Sequence, residues 1–320
     1  MSVPLPASRR VLLAAGLSRQ RVDQPLRNRS VVAPYRGVHA DAAGLEFRTR
    51  CRAALLTQNV NAMLAMQSAA VTLSFRWLPT EWSAPGAVVH VAVPPGDAHR
   101  HRCGLRLHRR TVHPDEIVVV DGLTCMSPTR TLVELARDFR LPQTLVVQIL
   151  DGALRDERTT VGELLACLTR MPGERGVARA RELVALARYP VDSPQETSMR
   201  LALFYDGIRD LDIGIEIRDD YGGVLARGDL GVKDLLIWAE YDGYDVHTQR
   251  QTFRSDRRGD RWLQRRGWHV MRFVDADLRQ PRRMCEEWRQ AMADAPRRIS
   301  ALPAELSPEA DEARRGLGLA

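Results

Sequence analysis

Lysine is almost absent from this 320-residue sequence, whose 47 basic residues are all arginine except Lys233. Long apolar runs are also missing, and the longest, such as 235–239, fall far short of the roughly 18 residues that a membrane helix needs. A secretory signal pattern is lacking too, so we expect a cytoplasmic protein. The five cysteines show no metal-ligand or redox spacing, which argues against a zinc ribbon or a disulfide framework.

What is present is the composition of a folded protein with an uneven distribution of charge. The sequence is 44% hydrophobic and 27% charged, and its length suits two or three domains. Residues 1–110 carry a net charge of +11, residues 111–249 carry −9 and residues 250–320 carry +5. Basic ends favour contact with a phosphate backbone, and an acidic middle can gather carboxylates around a cation. An ordinary solvated surface is the alternative.

A helix-turn-helix pattern with a wing is predicted at the start of the chain. Apolar residues share one face over 8–15, a second helix is predicted over 18–29, and residues 31–39 have the pattern of a β-hairpin. Arg19 and Arg21 of the second helix are predicted to face a DNA groove or phosphate.

Three segments of the first half resemble a known family. The run LAAGLSRQRVDQPLRNRSVVAPYRGVHA, residues 13–40, resembles the degenerate winged-helix module that opens abortive-infection type IV antitoxin proteins of actinobacteria. The segments VHVAVPPG and GLRLHRRTVHPDEIVVVDGLTCMSPTRTLVELA, at 89–96 and 104–136, resemble the second domain of that family. The resemblance implies a truncated winged-helix-like region over 1–42, DNA binding and a possible cognate toxin protein as a partner.

The rest of the chain is predicted to form a small α/β middle domain over 45–170 and a third domain over 190–298. Within the middle domain, His108 lies in a stretch rich in histidine and arginine, which we interpret as a basic hairpin and not as a metal site. Residues 303–320 have the pattern of a loose tail. The predicted fold class is therefore α/β (α+β) throughout.

The strongest pattern lies in the third domain, where helical and strand patterns follow one another in a defined order. The predicted order is αβββαβ, with elements over 193–205, 211–218, 224–231, 235–243, 254–266 and 268–274.

Acidic residues stand at matching places on two of these strands. Glu240 and Asp242 are two residues apart and project to the same side of their strand, and a hairpin can lay Asp229 beside them. Converging carboxylates repel one another unless a cation neutralises them, and an all-oxygen site suits Mg²⁺ or Mn²⁺. We expect Asp229, Glu240 and Asp242 to bind such an ion, with Glu196 completing the site.

Several segments of this domain resemble a nuclease family. ARGDLGVKDLLIWAEYDGYDVH, RSDRRGDRWLQRRGWHVMRF and SPQE resemble the domain of unknown function related to very-short-patch repair endonucleases, which has the PD-(D/E)XK fold. The resemblance covers about 90 residues and implies metal-dependent hydrolysis of DNA phosphodiesters, with His247 placed to assist proton transfer. One departure is that Asp242 stands where that fold usually has a lysine.

Each acidic candidate also has an ordinary structural explanation. Glu196 is spaced to cap its own helix, Asp229 can pair with a neighbouring arginine, and Asp242 can form a turn. His247 can be structural. Glu240 ends an apolar strand, where a carboxylate is costly to bury without a partner.

A row of arginines follows these acids along the chain. Their spacing of three and four residues places them on one helix face suited to a phosphate backbone, with nearby aspartates as the alternative partners: Arg254, Arg257, Arg258, Arg261.

Two functional interpretations follow, and the sequence leaves enzymatic activity open. The leading one is a nucleic-acid-binding protein with a metal-dependent endonuclease-like domain. The alternative is an antitoxin-like DNA-binding regulator whose nuclease domain is catalytically inactive. A protein-interaction scaffold is a third possibility.

Overall fold

The structure is a computed structural model, and the chain in it divides into two compact units, Met1–Ala187 and Arg188–Ala320. Helices are mixed with three β-sheets, which confirms the predicted α+β class. None of the described helices is long and apolar enough to cross a membrane. The described residues are 4–27, 30–43, 45–97, 102–219, 221–243 and 259–319, without the side chains of 25–27.

The first unit opens with two helices packed on a three-stranded sheet. Leu12 and Val22 are buried between them, and the side chain of Ser8 accepts a hydrogen bond from the backbone of Val11, which caps the first helix. The sheet has the order β1-β3-β2 and is antiparallel. Its elements are β1 (Ala7–Ser8), α1 (Arg9–Ala14), α2 (Arg19–Arg27), β2 (Val31–Tyr35) and β3 (Val38–Asp41).

A five-stranded sheet with the order β6-β5-β4-β8-β7 forms the remainder of the first unit. Its strands are β4 (Met63–Leu64), β5 (Val89–Val93), β6 (Leu105–Arg109), β7 (Ile117–Val120) and β8 (Leu123–Met126). Its helices are α3 (Phe47–Leu55), α4 (Met66–Thr72), α5 (Pro128–Arg137), α6 (Gln143–Arg155), α7 (Val161–Thr169) and α8 (Val177–Leu186). Helix α8 contacts α5, α6 and α7, so this layer extends beyond residue 170, where the sequence predicted its end.

The prediction of a basic hairpin around His108 is wrong, because β5 and β6 pair in parallel. A parallel pair needs a crossover connection and cannot be joined by a tight turn. His108 is buried on β6 beside His90 of β5, with 3.0 Å between His90 Nδ1 and His108 Nε2. Burial, followed by the charge of Arg110, lowers the pKa of His108 to about 4. Burial and His108 lower the pKa of His90 to about 3.

This buried pair predicts a loss of stability in acid. An unfolded histidine takes up its proton near pH 6.5, whereas these two stay neutral in the folded chain down to much lower pH. The free energy of unfolding should therefore fall as the pH decreases from 6.5 to 4, by on the order of 3 kcal/mol. Chemical denaturation across that range should show the fall in the natural protein and a much flatter profile in His90→Gln/His108→Gln. Equal slopes would contradict the assignment.

The second unit is built on a four-stranded sheet with the order β12-β11-β10-β9. Strands β9 to β11 are antiparallel neighbours, and β12 runs parallel to β11. Along the chain, a helix, three strands, a helix and a strand follow one another, which is the order expected from the sequence. The elements are α9 (Pro194–Tyr205), β9 (Asp212–Arg218), β10 (Val224–Val232), β11 (Ile237–Tyr241), α10 (259–265), β12 (His269–Phe273), α11 (Asp275–Leu278), α12 (Pro281–Ser300) and α13 (Pro308–Gly316).

Two hydrophobic clusters cover the two faces of this sheet. Ile237 and Ala239 belong to the cluster that includes α9 and the first half of α12, whereas Trp238 belongs to the cluster that includes α10, α13 and the end of α12. This alternation is that of a strand buried on both sides.

The expectation of a loose tail over 303–320 is wrong, because α13 packs on this second cluster. Ala310 and Ala313 are buried, and Ser307 caps the helix by accepting a hydrogen bond from the backbone of Ala310. Arg266 adds an ion pair to Glu309. Two small apolar residues give a weak periodic signal, which explains why the sequence pattern did not indicate a packed helix.

Candidate functional site

Three of the acidic side chains in the second unit meet at one guanidinium group, that of Arg272. The parallel register of β11 and β12 places Arg272 directly beside Glu240. Its Nη2 atom lies 2.9 Å from Glu240 Oε2 and 2.7 Å from Asp260 Oδ1, and its Nη1 atom lies 2.8 Å from Asp242 Oδ1. Burial lowers the pKa of Arg272, but the hydrogen bonds that it donates to Asp260 and the charges of Glu240 and Asp242 raise that pKa above the usual value.

Glu240 is also fixed from its own strand. Trp238 Nε1, two residues earlier and on the same side, donates a 2.7 Å hydrogen bond to Glu240 Oε1. Gly228 of β10 leaves the space for that indole, because a Cβ at this position would lie 2.5 Å from the ring. Both oxygens of Glu240 therefore have protein partners. Burial nevertheless raises its pKa.

Asp229 lies at the same end of the sheet but is bonded differently. Its Oδ2 accepts a 2.7 Å hydrogen bond from the backbone N–H of Tyr241, between Glu240 and Asp242 in the chain. Burial, then the charge of Glu196, raise the pKa of Asp229 to about 7. The structure therefore brings Asp229, Glu240 and Asp242 to one region, as the spacing predicts.

Glu196 caps the start of helix α9. Its carboxylate accepts a 2.9 Å hydrogen bond from the backbone of Asp192, and its own N–H donates to Ser193 Oγ at 3.2 Å. Burial raises the pKa of Glu196, and the negative charge of Glu196 in turn raises the pKa of Asp229. The capping interpretation of Glu196 is thus present in the structure, together with its closeness to the acidic region.

These contacts decide how well a metal ion fits. The chemistry of the donors is suitable, because carboxylate oxygens are what Mg²⁺ and Mn²⁺ prefer. The placement is not suitable, because Arg272 already holds Glu240 and Asp242. No group of three or more His, Cys, Asp or Glu side chains is arranged to hold a metal ion among the residues that the structure describes.

The predicted DNA-contacting arginines fall into two groups. Arg19 and Arg21 are exposed on α2, whereas Val22 of the same helix is buried. Arg261 is exposed on α10. The other predicted site residues lie outside the described part of the chain: His247, Arg254, Arg257 and Arg258.

Sequence reasoning missed Arg272 and Trp238. Arg272 stands in the apolar segment HVMRF, and a lone arginine in a buried strand needs a partner, which was the available signal. Its partners are 12 to 32 residues away in the chain. The register of two parallel strands places Glu240 beside it, and helix α10 brings Asp260.

Residues 79–186 match the family model of the AbiEi antitoxin C-terminal domain. The matched region contains strands β5 to β8 and helices α5 to α8. The match supports the antitoxin-like part of the resemblance seen in the sequence. It begins later and ends later than the segments from which that resemblance was drawn, and it does not include the second unit.

Two proteins of Mycobacterium tuberculosis are similar over a longer stretch. Uncharacterized protein MT2308 of strain CDC 1551 and uncharacterized protein Rv2248 of strain H37Rv are each 28% identical to this chain over 265 residues, which is 82% of this chain and 92% of theirs. Because neither unit is as long as that alignment, the similarity includes parts of both. The chain is thus similar to an antitoxin domain in its first unit and to these proteins across most of its length.

Proposed function

We propose that this protein is an antitoxin-like DNA-binding regulator whose second unit has a nuclease-like PD-(D/E)XK fold but binds DNA without cutting it. The observation that carries the proposal is the ion cluster around Arg272. Its guanidinium group, which stays protonated at any physiological pH, binds Glu240, Asp242 and Asp260 and offsets part of their negative charge.

The first unit supplies the features of a regulator. The succession of α1, α2 and the β2–β3 hairpin supports a winged-helix-like role for this region, and Arg19 and Arg21 are exposed on α2. The match to an antitoxin domain over 79–186 supports the same role. A cognate toxin protein is the partner that such a regulator implies.

The second unit supplies the reason for binding without cleavage. The antiparallel β9–β11 meander with β12 parallel to β11 supports the nuclease-like fold, in which a lysine normally follows the second acid by two residues. Asp242 takes that position here. The nearest described cation is Arg272, which is engaged by three carboxylates and so is poorly placed to orient an attacking water.

Binding of DNA is expected to depend on salt and not on a metal. In the presence of a chelator, double-stranded DNA should bind with an affinity that falls steeply with salt, because arginines displace condensed counterions. Replacing Arg19 and Arg21 by Glu should weaken binding at least about tenfold and lower the slope of log K against log salt by about two. Fluorescence anisotropy measures both quantities.

Two variants serve as controls for that measurement. Arg76→Glu changes an exposed arginine of the same unit, which pairs with Asp156 away from α2, and should have a much smaller effect than either reversal on α2. Glu240→Gln should leave binding in chelator unchanged. A DNA affinity that does not change with salt, or equal effects of all the arginine reversals, would rule out a DNA interface on α2.

The ion cluster predicts a specific stability cost. Arg272→Met leaves three carboxylates without their cation and should lower the free energy of unfolding by about 3 kcal/mol. Arg289→Ala, which breaks only the exposed pair with Asp206, should cost less than about 1 kcal/mol. Adding Glu240→Gln to Arg272→Met should restore part of the loss, since one repelling charge is removed. Additive effects in this double-mutant cycle would show that the cluster is not the cause.

A metal-dependent endonuclease is the second candidate function, and the surroundings of Asp229 favour it. Asp229 is half-buried near Glu196, and burial together with the charge of Glu196 raises its pKa to about 7, which is a setting that favours a bound cation. For this function, Arg272 would have to release Glu240 and Asp242 so that they could hold the ion together with Asp229, and the ion would supply activated water and offset the charge of the phosphate. His247 would assist proton transfer.

Titration with Mn²⁺ separates the two candidates. For an endonuclease, the melting temperature should rise with Mn²⁺, and Asp229→Ala/Glu240→Ala should abolish the rise. A panel of mismatched, nicked and branched DNA should then be cut by the natural protein and not by Glu240→Gln. For a regulator that only binds, we expect no cation-dependent rise, no cleavage, and the same DNA affinity in both proteins.

A further inference from the structure

A cavity of about 440 Å³ lies in the antitoxin-like region of the first unit, and neither α2 nor the acidic candidates Asp229, Glu240 and Asp242 line it. It opens at the end of helix α5, beside β6. The side chains that characterise it are basic or aromatic: His108, Arg110, Arg137, Phe139, Arg140 and Arg175. Its volume falls in the range of small-molecule sites, roughly 300 to 1,000 Å³.

Positive charge exceeds negative charge in this cavity. Its carboxylates are those of Glu134 and Asp138, against four guanidinium groups. Glu134 is buried and accepts from Arg110, at 2.7 Å, and from Arg137, at 2.9 Å. After burial, the charges of Arg110 and Arg140 lower the pKa of His108 in the cavity wall, and the charge of Glu134 opposes them.

The excess positive charge of the cavity is exposed to solvent at Arg140 and Arg110. Arg140 binds both oxygens of Asp138, at 2.8 and 2.9 Å, yet 60% of its side chain remains exposed. Arg110 is partly exposed above Glu134. A guanidinium fork fixed in this way by a carboxylate is preorganised to bind the oxygens of a phosphate with its remaining donors.

Phe139 adds an aromatic surface at the rim. Its side chain is 60% exposed although it is large and apolar. The guanidinium carbons of Arg175 and Arg179 lie 5.9 and 5.5 Å from the centre of its ring, which holds the phenyl group in place. An exposed ring beside arginines is the combination that stacks on a base while a phosphate is neutralised.

We propose that this cavity is a binding site for a nucleoside phosphate, with the base stacked on Phe139 and the phosphate bound by Arg140 and Arg110. The site goes beyond the proposed DNA binding and gives the regulator a small-molecule ligand. A nucleoside phosphate fits better than an acidic protein segment. Both offer an anionic group to the arginines, but the defining carboxylates of an acidic segment offer no planar ring that could stack on Phe139.

Isothermal titration of the full-length chain tests the site, with AMP, GMP, CMP and UMP as probes and a chelator present throughout. At least one nucleotide should bind with a dissociation constant below about 1 mM, and inorganic phosphate and the free nucleoside should each bind at least tenfold more weakly. Arg140→Ala and Phe139→Ala should each weaken the nucleotide at least tenfold. Arg76→Ala is the matched control, because Arg76 also forms a bidentate pair on the surface of this unit and does not line the cavity.

The outcomes are distinct from those of the DNA experiments. Retained melting temperatures would show that both cavity variants are folded, as expected for exposed side chains. No binding of any nucleotide at millimolar concentration overturns the proposal, as does binding that survives both substitutions. Phosphate binding as tightly as the nucleotide overturns it too, because the aromatic ring would then play no part. An acidic peptide that competes while nucleotides do not would replace the ligand class.

Discussion

Pairing of buried carboxylates with guanidinium groups is the interaction on which both units depend. In the first unit, Glu134 is buried with Arg130 and Arg137, while in the second, Glu240 shares Arg272 with two aspartates. Burying a charged carboxylate without such compensation is costly. Since almost every cation in the chain is an arginine, each can serve several acids with its planar fork, and polar clusters replace part of an apolar core.

The same interaction is the basis for preferring one of the functional interpretations. The spacing of the acids is what a hydrolytic metal site needs, and the sheet does bring Asp229 and Glu240 to one end. The cation that meets Glu240, however, comes from the neighbouring strand of the protein itself. Under the proposed function, the second unit contributes to binding and not to cleavage, in keeping with the antitoxin-like region that precedes it in the chain.

The sequence predicted much of this fold because its signals are local. Alternation located β9, β10 and β12 to within a residue or two, and the capping pattern at Ser193 located α9. What it did not predict depends on distant partners. The parallel pairing of β5 with β6 and of β11 with β12 joins segments linked by long crossovers, so neither the buried histidines nor the role of Arg272 was visible. Helix α13 was not predicted either, because its two buried alanines give only a weak periodic pattern.

Helix α12 has a consequence for how the second unit comes apart. Its residues Met284 and Trp288 belong to the cluster on one face of the sheet, whereas Ala295 and Ile299 belong to the cluster on the other. A single helix is thus a structural part of both layers. Neither layer can loosen without exposing apolar surface in its counterpart, so hydrogen exchange in β11 and in both flanking cores should proceed through one cooperative opening and not through two independent ones.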